Sequence, residues 1–279
     1  MVPTAGIGFK PQYLEEALAS PAAGLWFEVH PENYMVDGGP RLAMLRALRE
    51  ARPLSLHGVG LSLAGAADPD TEHLARLKRL SDEVRPFLVS EHLAWSHDGE
   101  RHFPDLLPFP RTLEALLRIC RNVDIVQHVL GRQILIENPS LYLPLDGHDF
   151  AETDFLRQVS KRTGCRLLID VNNVWISANN LGFDAYDYLD GLPHDAVGEI
   201  HLAGHSPDPE HGASLLIDSH DAPISDEVWA LYDYLLALTG PLPTLIERDG
   251  NLPAFDGLMA ERDRAALIMR TPRKAVARA

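Results

Sequence analysis

The chain has few cysteines and no long apolar run. Two cysteines among 279 residues, Cys120 and Cys165, exclude a disulfide framework, and we interpret both as buried free thiols. Gly, Asp or Pro interrupts every apolar stretch well short of a membrane span. The first ten residues lack the basic start and apolar core of a secretory signal. We therefore expect a protein of the reducing cytoplasm that has no membrane partner.

Positive charge is also scarce. Lys and Arg total 25 against 40 Asp and Glu, which gives a net charge of −15 with neutral His. Such a field repels phosphate backbones, so nucleic acid is not an expected partner. The hydrophobic fraction of 46% and the charged fraction of 23% are those of a folded globular protein. Because no Gly/Ser linker or charge shift divides the sequence, we predict one domain over residues 1–279.

Short apolar runs alternate with helical patterns along the chain, as where Leu74, Leu77 and Leu80 share a helix face. This alternation predicts parallel strands, because parallel neighbours need a long crossover. Eight such units in roughly 250 residues predict a (β/α)₈ TIM barrel. An open doubly wound sheet is the alternative, but residues 6–10 lack the third Gly of a dinucleotide fingerprint. The predicted strands are 6–9, 25–30, 54–57, 87–92, 134–137, 167–170, 197–201 and 244–247, with loop-rich inserts at 95–110, 172–181 and 204–223.

Side chains that can bind metals end six of the eight predicted strands. Barrel enzymes carry their active sites at this end of the strands, so the six should meet at one rim. Imidazoles and carboxylates without a thiolate suit Fe, Mn or Zn. Several carboxylates at one rim would repel each other, and two or three bound cations would remove that repulsion. The six residues are His57, His92, Glu137, Asp170, His201 and Glu247.

Two further segments add donors to the predicted rim. Asp218 and His220 are two residues apart, and in extended backbone this spacing points both side chains to the same face. Asn172 and Asn173 follow Asp170 and could supply a neutral oxygen ligand or a supporting hydrogen bond. We therefore include both segments among the candidate site residues.

Blocks distributed along nearly the whole chain resemble the DUF692 family, the multinuclear non-haem iron-dependent oxidative enzymes. The resemblance implies a TIM barrel related to xylose isomerase-like folds and to endonuclease IV, with two or three irons at the rim. The number of separate blocks makes it specific. The matching blocks are residues 6–8, 27–34, 56–59, 90–95, 137–140, 170–173, 199–205, 218–220 and 245–249.

The resemblance also implies a division of the ligands among the irons. In endonuclease IV the position that matches Asn173 is a His, so the third iron should be held more weakly here. By matching motifs, the resemblance assigns His57, His92 and Glu137 to the first iron. Glu137 would bridge to the second iron, which Asp170, His201 and Glu247 would also bind. Asp218, His220 and Asn173 would bind the third iron.

Characterised members of the family, including those of methanobactin biosynthesis, modify cysteine residues of ribosomally synthesised peptides. For this chain the resemblance implies mixed Fe(II)/Fe(III) centres, O₂ as co-substrate, a Cys-containing precursor peptide and a small partner protein that presents it. Asp249 is the candidate catalytic acid or base, and Asn33, Trp95 and Asn138 are the candidate substrate contacts.

Two other functions remain open on the residues alone. The same donors could serve a divalent-metal sugar isomerase or hydrolase on the same barrel. The chain could also bind metal or a partner without catalysing a reaction.

Overall fold

A closed barrel of eight parallel strands forms the centre of the protein. The computed structural model describes residues 4–97 and 101–271. The strands in these ranges are β1 (Ala5–Gly8), β2 (Phe27–Val29), β3 (Leu54–Gly58), β4 (Leu88–His92), β5 (Trp95–His97), β6 (His102–Leu107), β7 (Leu135–Glu137), β8 (Arg166–Asp170), β9 (Val197–Leu202), β10 (Ser206–Asp208), β11 (Gly212–Ile217) and β12 (Thr244–Ile246). The barrel order is β1-β2-β3-β4-β7-β8-β9-β12, and β12 pairs with β1 to close it.

Each predicted strand overlaps a strand of the barrel, so the predicted (β/α)₈ fold class is confirmed. Helices connect the strands on the outside. In the described residues they are α1 (Leu14–Ala19), α2 (Pro40–Ala51), α3 (Thr71–Val84), α4 (Leu113–Leu130), α5 (Glu152–Thr163), α6 (Val171–Leu181), α7 (Ala185–Gly191), α8 (Asp226–Thr239) and α9 (Phe255–Arg270). None of the helices in 4–97 and 101–271 combines the length and apolarity needed to cross a bilayer.

Helix α3 shows how the local sequence sets these elements. The Asp70 side chain accepts a hydrogen bond of 2.6 Å from the His73 backbone N–H and so caps the helix start. Leu74, Leu77 and Leu80 then recur at helical spacing and are buried against the barrel. Apolar side chains of the other helices join the same core, which lies between the strands and the surrounding helices.

The three segments predicted to be loop-rich inserts contain regular structure. Residues 172–181 lie in α6, because Asp170 accepts a hydrogen bond from the Asn173 backbone N–H and starts the helix directly at the end of β8. The other two inserts fold into antiparallel hairpins, β5 with β6 and β10 with β11. The expectation of loops was therefore wrong at 172–181 and incomplete at 95–110 and 204–223.

The chain returning from the second hairpin packs closely against the end of β9. The His220 backbone N–H donates to the Gly204 carbonyl oxygen at 3.1 Å. A Cβ atom at Gly204 would lie 1.9 Å from the carbonyl oxygen of Ala222, a distance that no side chain can occupy. The position therefore has to be glycine for the segment around His220 to reach the rim.

We expect Gly204→Ala to destabilise the protein by about 1–3 kcal/mol, because the added methyl group must displace backbone. Chemical denaturation followed by circular dichroism measures the change. Gly8→Ala is the matched control, because a Cβ atom there lies 3.8 Å from its nearest neighbour, the Ile246 oxygen. Equal stabilities for the two variants would contradict this account of the rim.

Candidate metal centre

Three donor atoms from adjacent strands form a small triangle at the rim. His57 lies at the end of β3, His92 at the end of β4 and Glu137 at the end of β7. Glu137 Oε2 is 3.0 Å from His57 Nε2 and 3.2 Å from His92 Nε2, and the two nitrogens are 3.3 Å apart. The triangle lies inside the protein, because His57 and Glu137 are buried and His92 is mostly covered.

The triangle has the dimensions of ligands around one cation. Donors at about 2.0–2.2 Å from one ion, with angles between square and tetrahedral, lie roughly 2.8–3.6 Å from each other. Glu137 Oε2 is buried and makes no hydrogen bond among the described residues, although two imidazole nitrogens are near it. This oxygen is therefore close to both nitrogens without being hydrogen-bonded to either, a position from which all three atoms can bind one ion. The residues present therefore fit a metal.

The opposite ring nitrogens of both histidines contact the barrel. His57 Nδ1 lies 2.8 Å from Ser90 Oγ, and His92 Nδ1 lies 2.9 Å from the carbonyl oxygen of Gly58. Because a carbonyl oxygen can only accept, Nδ1 of His92 carries a proton, which leaves Nε2 as the nitrogen available to an ion. Such contacts fix the ring and its tautomer for metal binding.

A second group of donors adjoins the triangle. Asp170 ends β8, His201 lies near the end of β9, and Glu247 directly follows β12. His201 Nδ1 is 3.3 Å from Glu247 Oε2, and the donor atoms of Glu137, Asp170 and His201 lie within 4.8 Å of one another. Asp170 Oδ2 is buried without a hydrogen-bond partner in the described residues. The six strand-end residues therefore converge in one cluster, and Glu137 belongs to both of its halves.

Asp218 and His220 meet at the same rim, but not through extended backbone. Strand β11 ends at Ile217, and His220 has a φ of 48°, in the left-handed region. A turn therefore brings His220 Nε2 to 2.8 Å from Asp218 Oδ1, and the predicted extended conformation was wrong. His220 also converges with Asp170 and Glu247, with donor atoms within 4.8 Å of one another.

The two asparagines of α6 contact different parts of the cluster. Asn172 Nδ2 donates to Asp218 Oδ1 at 2.9 Å. Asn173 Nδ2 instead donates to the Asn138 carbonyl oxygen at 3.0 Å and to Glu137 Oε1 at 3.3 Å. Asn173 Oδ1 is buried and has no hydrogen-bond partner among the described residues, so it remains available to an ion. The role of Asn173 as a ligand stays a prediction.

Sequence reasoning missed two carboxylates beneath the rim. Glu28 of β2 and Glu199 of β9 are 3% and 0% exposed, and their oxygens lie 3.3 and 3.8 Å from His201 Nε2. One sequence signal was available: Glu199 precedes His201 by two residues on a strand, which places both side chains on one face. Carboxylates inside apolar strand runs are also rare unless they are paired.

In the protein without bound ions, the closely spaced charges of the cluster shift the pKa values of its side chains. Burial raises the pKa of Glu137, but His92 and His57 outweigh burial and lower that pKa to about 2. Burial lowers the pKa of His57, but Glu137 and Glu28 outweigh it and raise the pKa to about 10. Burial and the nearby Glu137 raise the pKa of Asp170 well above its ordinary value. Protonated groups therefore take the place of cations in this cluster.

Asp249 and Asn33 lie on a cavity of about 370 Å³ that leads to the cluster. Its lining includes Phe9, Lys10, Asn33, Arg41, Glu247 and Asp249. Asp249 is partly exposed, contacts Lys10 Nζ and lies 3.3 Å from His220 Nδ1. Burial raises the pKa of Asp249, but His220 and Lys10 outweigh burial and hold that pKa below its usual range.

Asn138 and Trp95 are held by hydrogen bonds within the protein. The Asn138 side chain donates to the Asp170 carbonyl oxygen at 3.1 Å and accepts from the Asp170 backbone N–H at 2.9 Å. Trp95 Nε1 donates to the Pro108 carbonyl oxygen at 2.8 Å, and its ring packs on Phe103. These contacts position the end of β8 and the first hairpin, so substrate contact by either residue stays a prediction.

Comparisons with known proteins agree with this architecture. A family model described as "RiPP precursor modification enzyme MbnB/TglH/ChrH" matches residues 4–270. A UPF0276 protein of Caulobacter sp. strain K31 is 67% identical over 265 residues, covering 95% of this chain and 96% of the relative. A UPF0276 protein of Bordetella bronchiseptica is 52% identical over 267 residues, covering 95% of this chain and 92% of the relative.

Similar solved structures establish the type of barrel. A xylose isomerase-like TIM barrel protein from Mycobacterium smegmatis, in complex with magnesium, has a TM-score of 0.59 at 13% identity and covers 96% of this chain and 97% of its own. The 3-keto-D-glucoside 4-epimerase of E. coli has a TM-score of 0.57 at 18% identity and covers 95% of this chain and 98% of its own. The predicted xylose isomerase-like fold is thus confirmed, and at these identities the likeness concerns the fold alone.

Glu137→Gln should lose more than one metal ion per chain, because the Glu137 side chain belongs to both halves of the cluster. Elemental analysis after iron reconstitution gives the stoichiometry. His220→Ala is the comparison variant, and it should empty only the position near Asp218. The shared role of Glu137 is wrong if both variants lose the same single ion.

Metal uptake near neutral pH should release protons, and metal affinity should rise with pH. The pKa of His57 is raised to about 10 in the protein without ions, and an imidazole must lose its proton to bind a metal. Affinity should therefore increase from neutral pH towards about 10. Isothermal titration calorimetry in two buffers of different ionisation enthalpy counts the protons, and identical apparent enthalpies in both would contradict the release.

Proposed function

The chain belongs to the MbnB/TglH/ChrH family of RiPP precursor modification enzymes, and from this membership we propose that it is a non-haem iron oxidoreductase. Its substrate is a cysteine residue of a ribosomally synthesised precursor peptide, and O₂ is the co-substrate. The observation that carries the proposal is the merging of two donor groups through Glu137. Two adjacent cation positions suit a reaction in which substrate and oxidant bind side by side.

The ligands proposed for the irons follow the order of the rim. Imidazoles and carboxylates without a thiolate suit iron, and they keep both Fe(II) and Fe(III) bound. Iron supplies the electron transfer to O₂ that no side chain of the chain can provide. We assign His57, His92 and Glu137 to the first ion, Glu137, Asp170, His201 and Glu247 to the second, and Asp218, His220 and Asn173 to an exchangeable third.

The cavity at the rim is the proposed entrance for the substrate cysteine. It reaches Glu247, and Lys10 and Arg41 contribute positive charge to its lining. These cations reduce the repulsion that the acidic rim would exert on an approaching thiolate. We assign to Asn33, which lines the cavity, a hydrogen bond with the peptide backbone, and to Asp249 the role of acid or base at the entrance.

A small partner protein is part of this proposal, because an extended peptide needs to be held while one cysteine enters the cavity. We place the reaction in the cytoplasm. Both of the chain's own cysteines are free and buried, as expected for a reducing compartment. Burial raises the pKa of Cys165 to about 12, so this thiol does not compete with the substrate thiolate.

The decisive experiment combines the Fe(II)-loaded protein, O₂ and a Cys-containing precursor peptide encoded near the gene, with and without the neighbouring partner protein. Mass spectrometry should show a mass change confined to the cysteine, absent without O₂ and absent for the Cys→Ser peptide. Asp249→Asn should slow the change while keeping the iron that His57, His92 and Glu137 are proposed to bind.

A sugar isomerase or hydrolase would need no oxidant. An equal turnover with Zn²⁺ or Mn²⁺ in place of iron, or no peptide modification by fully iron-loaded protein with its partner, would reject the proposed oxidative function.

A further inference from the structure

The Ser55, Glu28 and His201 side chains form a buried chain of contacts beneath the rim. Ser55 Oγ donates to Glu28 Oε2 at 2.5 Å, and Glu28 Oε1 lies 3.3 Å from His201 Nε2. His201 Nδ1, on the other side of the ring, lies 3.3 Å from Glu247 Oε2. All three side chains are 0–3% exposed. The His201 ring thus lies between two carboxylates, Glu28 at Nε2 and Glu247 at Nδ1.

We propose that Glu28 is a positioning residue, which receives the Nε2–H of His201 and so turns the Nδ1 lone pair towards the cluster. This inference rests on the proposed metal centre and adds a residue that binds no ion itself. A carboxylate behind a ligating imidazole fixes its tautomer and raises its basicity. Glu28 therefore strengthens the bond from His201 to its ion.

His201 differs from His57 and His92, the two histidines assigned to the first ion. His57 and His92 direct Nε2 to Glu137, and their Nδ1 atoms face the uncharged oxygens of Ser90 and Gly58. His201 directs Nδ1 to Glu247, and its Nε2 faces a carboxylate. The two ions of the pair would therefore differ, with the stronger donor set on the His201 side, which favours the higher oxidation state there.

Glu28 is better placed for this role than Glu199. His201 Nε2 makes no hydrogen bond to either carboxylate among the described residues, so the two are compared by distance and support. Glu199 Oε1 is 3.8 Å from His201 Nε2, and neither oxygen of Glu199 has a hydrogen-bond partner there. Glu28 is nearer and is anchored through its second oxygen by Ser55, which restricts its side chain. A charge that is held in place orients a neighbour better than a charge that is not.

The test uses Co²⁺ as a spectroscopic probe in the full chain, so it does not depend on turnover. Wild-type protein, Glu28→Gln and Glu199→Gln are titrated with Co²⁺ while the visible absorption is recorded. Glu28→Gln should weaken one class of Co²⁺ sites by about 10- to 100-fold and change its absorption band, while the other class is unchanged. Glu199→Gln should cause a smaller loss.

Ser55→Ala keeps the charge of Glu28 but removes its anchor, so it should weaken the same class of sites by less than Glu28→Gln does. This variant also keeps the test decisive if Glu28→Gln fails to fold, which circular dichroism reports.

Three results would count against one or both proposals. Wild-type protein that binds no Co²⁺ or iron would reject the metal centre itself. Normal binding and unchanged spectra in folded Glu28→Gln or in Ser55→Ala would reject only the role of Glu28. An additional ion in wild type that disappears in both Glu28→Gln and Glu199→Gln would show that these carboxylates bind a cation instead of orienting His201.

Discussion

The mutual repulsion of buried carboxylates is the constraint on which this rim depends. Glu137, Asp170 and Glu247 lie in one cluster with His57, His92 and His201, and none of these carboxylates is well exposed to water. Burying several anions together is costly unless cations compensate them. Protonated imidazoles do so in the protein without ions. Metal ions would do so while leaving the imidazoles neutral, and we take this exchange as the basis of function.

The closed parallel barrel makes the cluster possible. Parallel strands all end at the same rim, so donors separated by up to 190 positions in the sequence, His57 to Glu247, become neighbours. The strand register also brings particular donors side by side, because His92 is opposite Glu137 and Asp170 is opposite His201 on neighbouring strands. The segment after β11 completes the rim from outside the barrel, and Gly204 allows its close approach.

The sequence predicts the barrel and the six strand-end residues well, because apolar run length and the final polar residue are local signals. The buried carboxylates Glu28 and Glu199 are harder to predict from the sequence. Whether Glu28 faces inwards depends on how the strands stagger around the barrel, which no single strand reveals. Asn172 and Asn173 differ in their contacts because successive helical residues point about 100° apart, and the start of α6 at Val171 was not anticipated. The turn at His220 has no local signal, since a left-handed His is uncommon.

Our central proposal is that this rim would hold two adjacent iron ions that share Glu137, and that the neighbouring cavity would admit a peptide cysteine. Crystals of the iron-reconstituted protein, measured at the iron absorption edge, test it most directly. We predict two neighbouring anomalous peaks, one against His57 and His92 and one against Asp170, His201 and Glu247, with Glu137 between them. A single peak away from Glu137, or no peak at this rim in crystals that contain iron, would contradict the account.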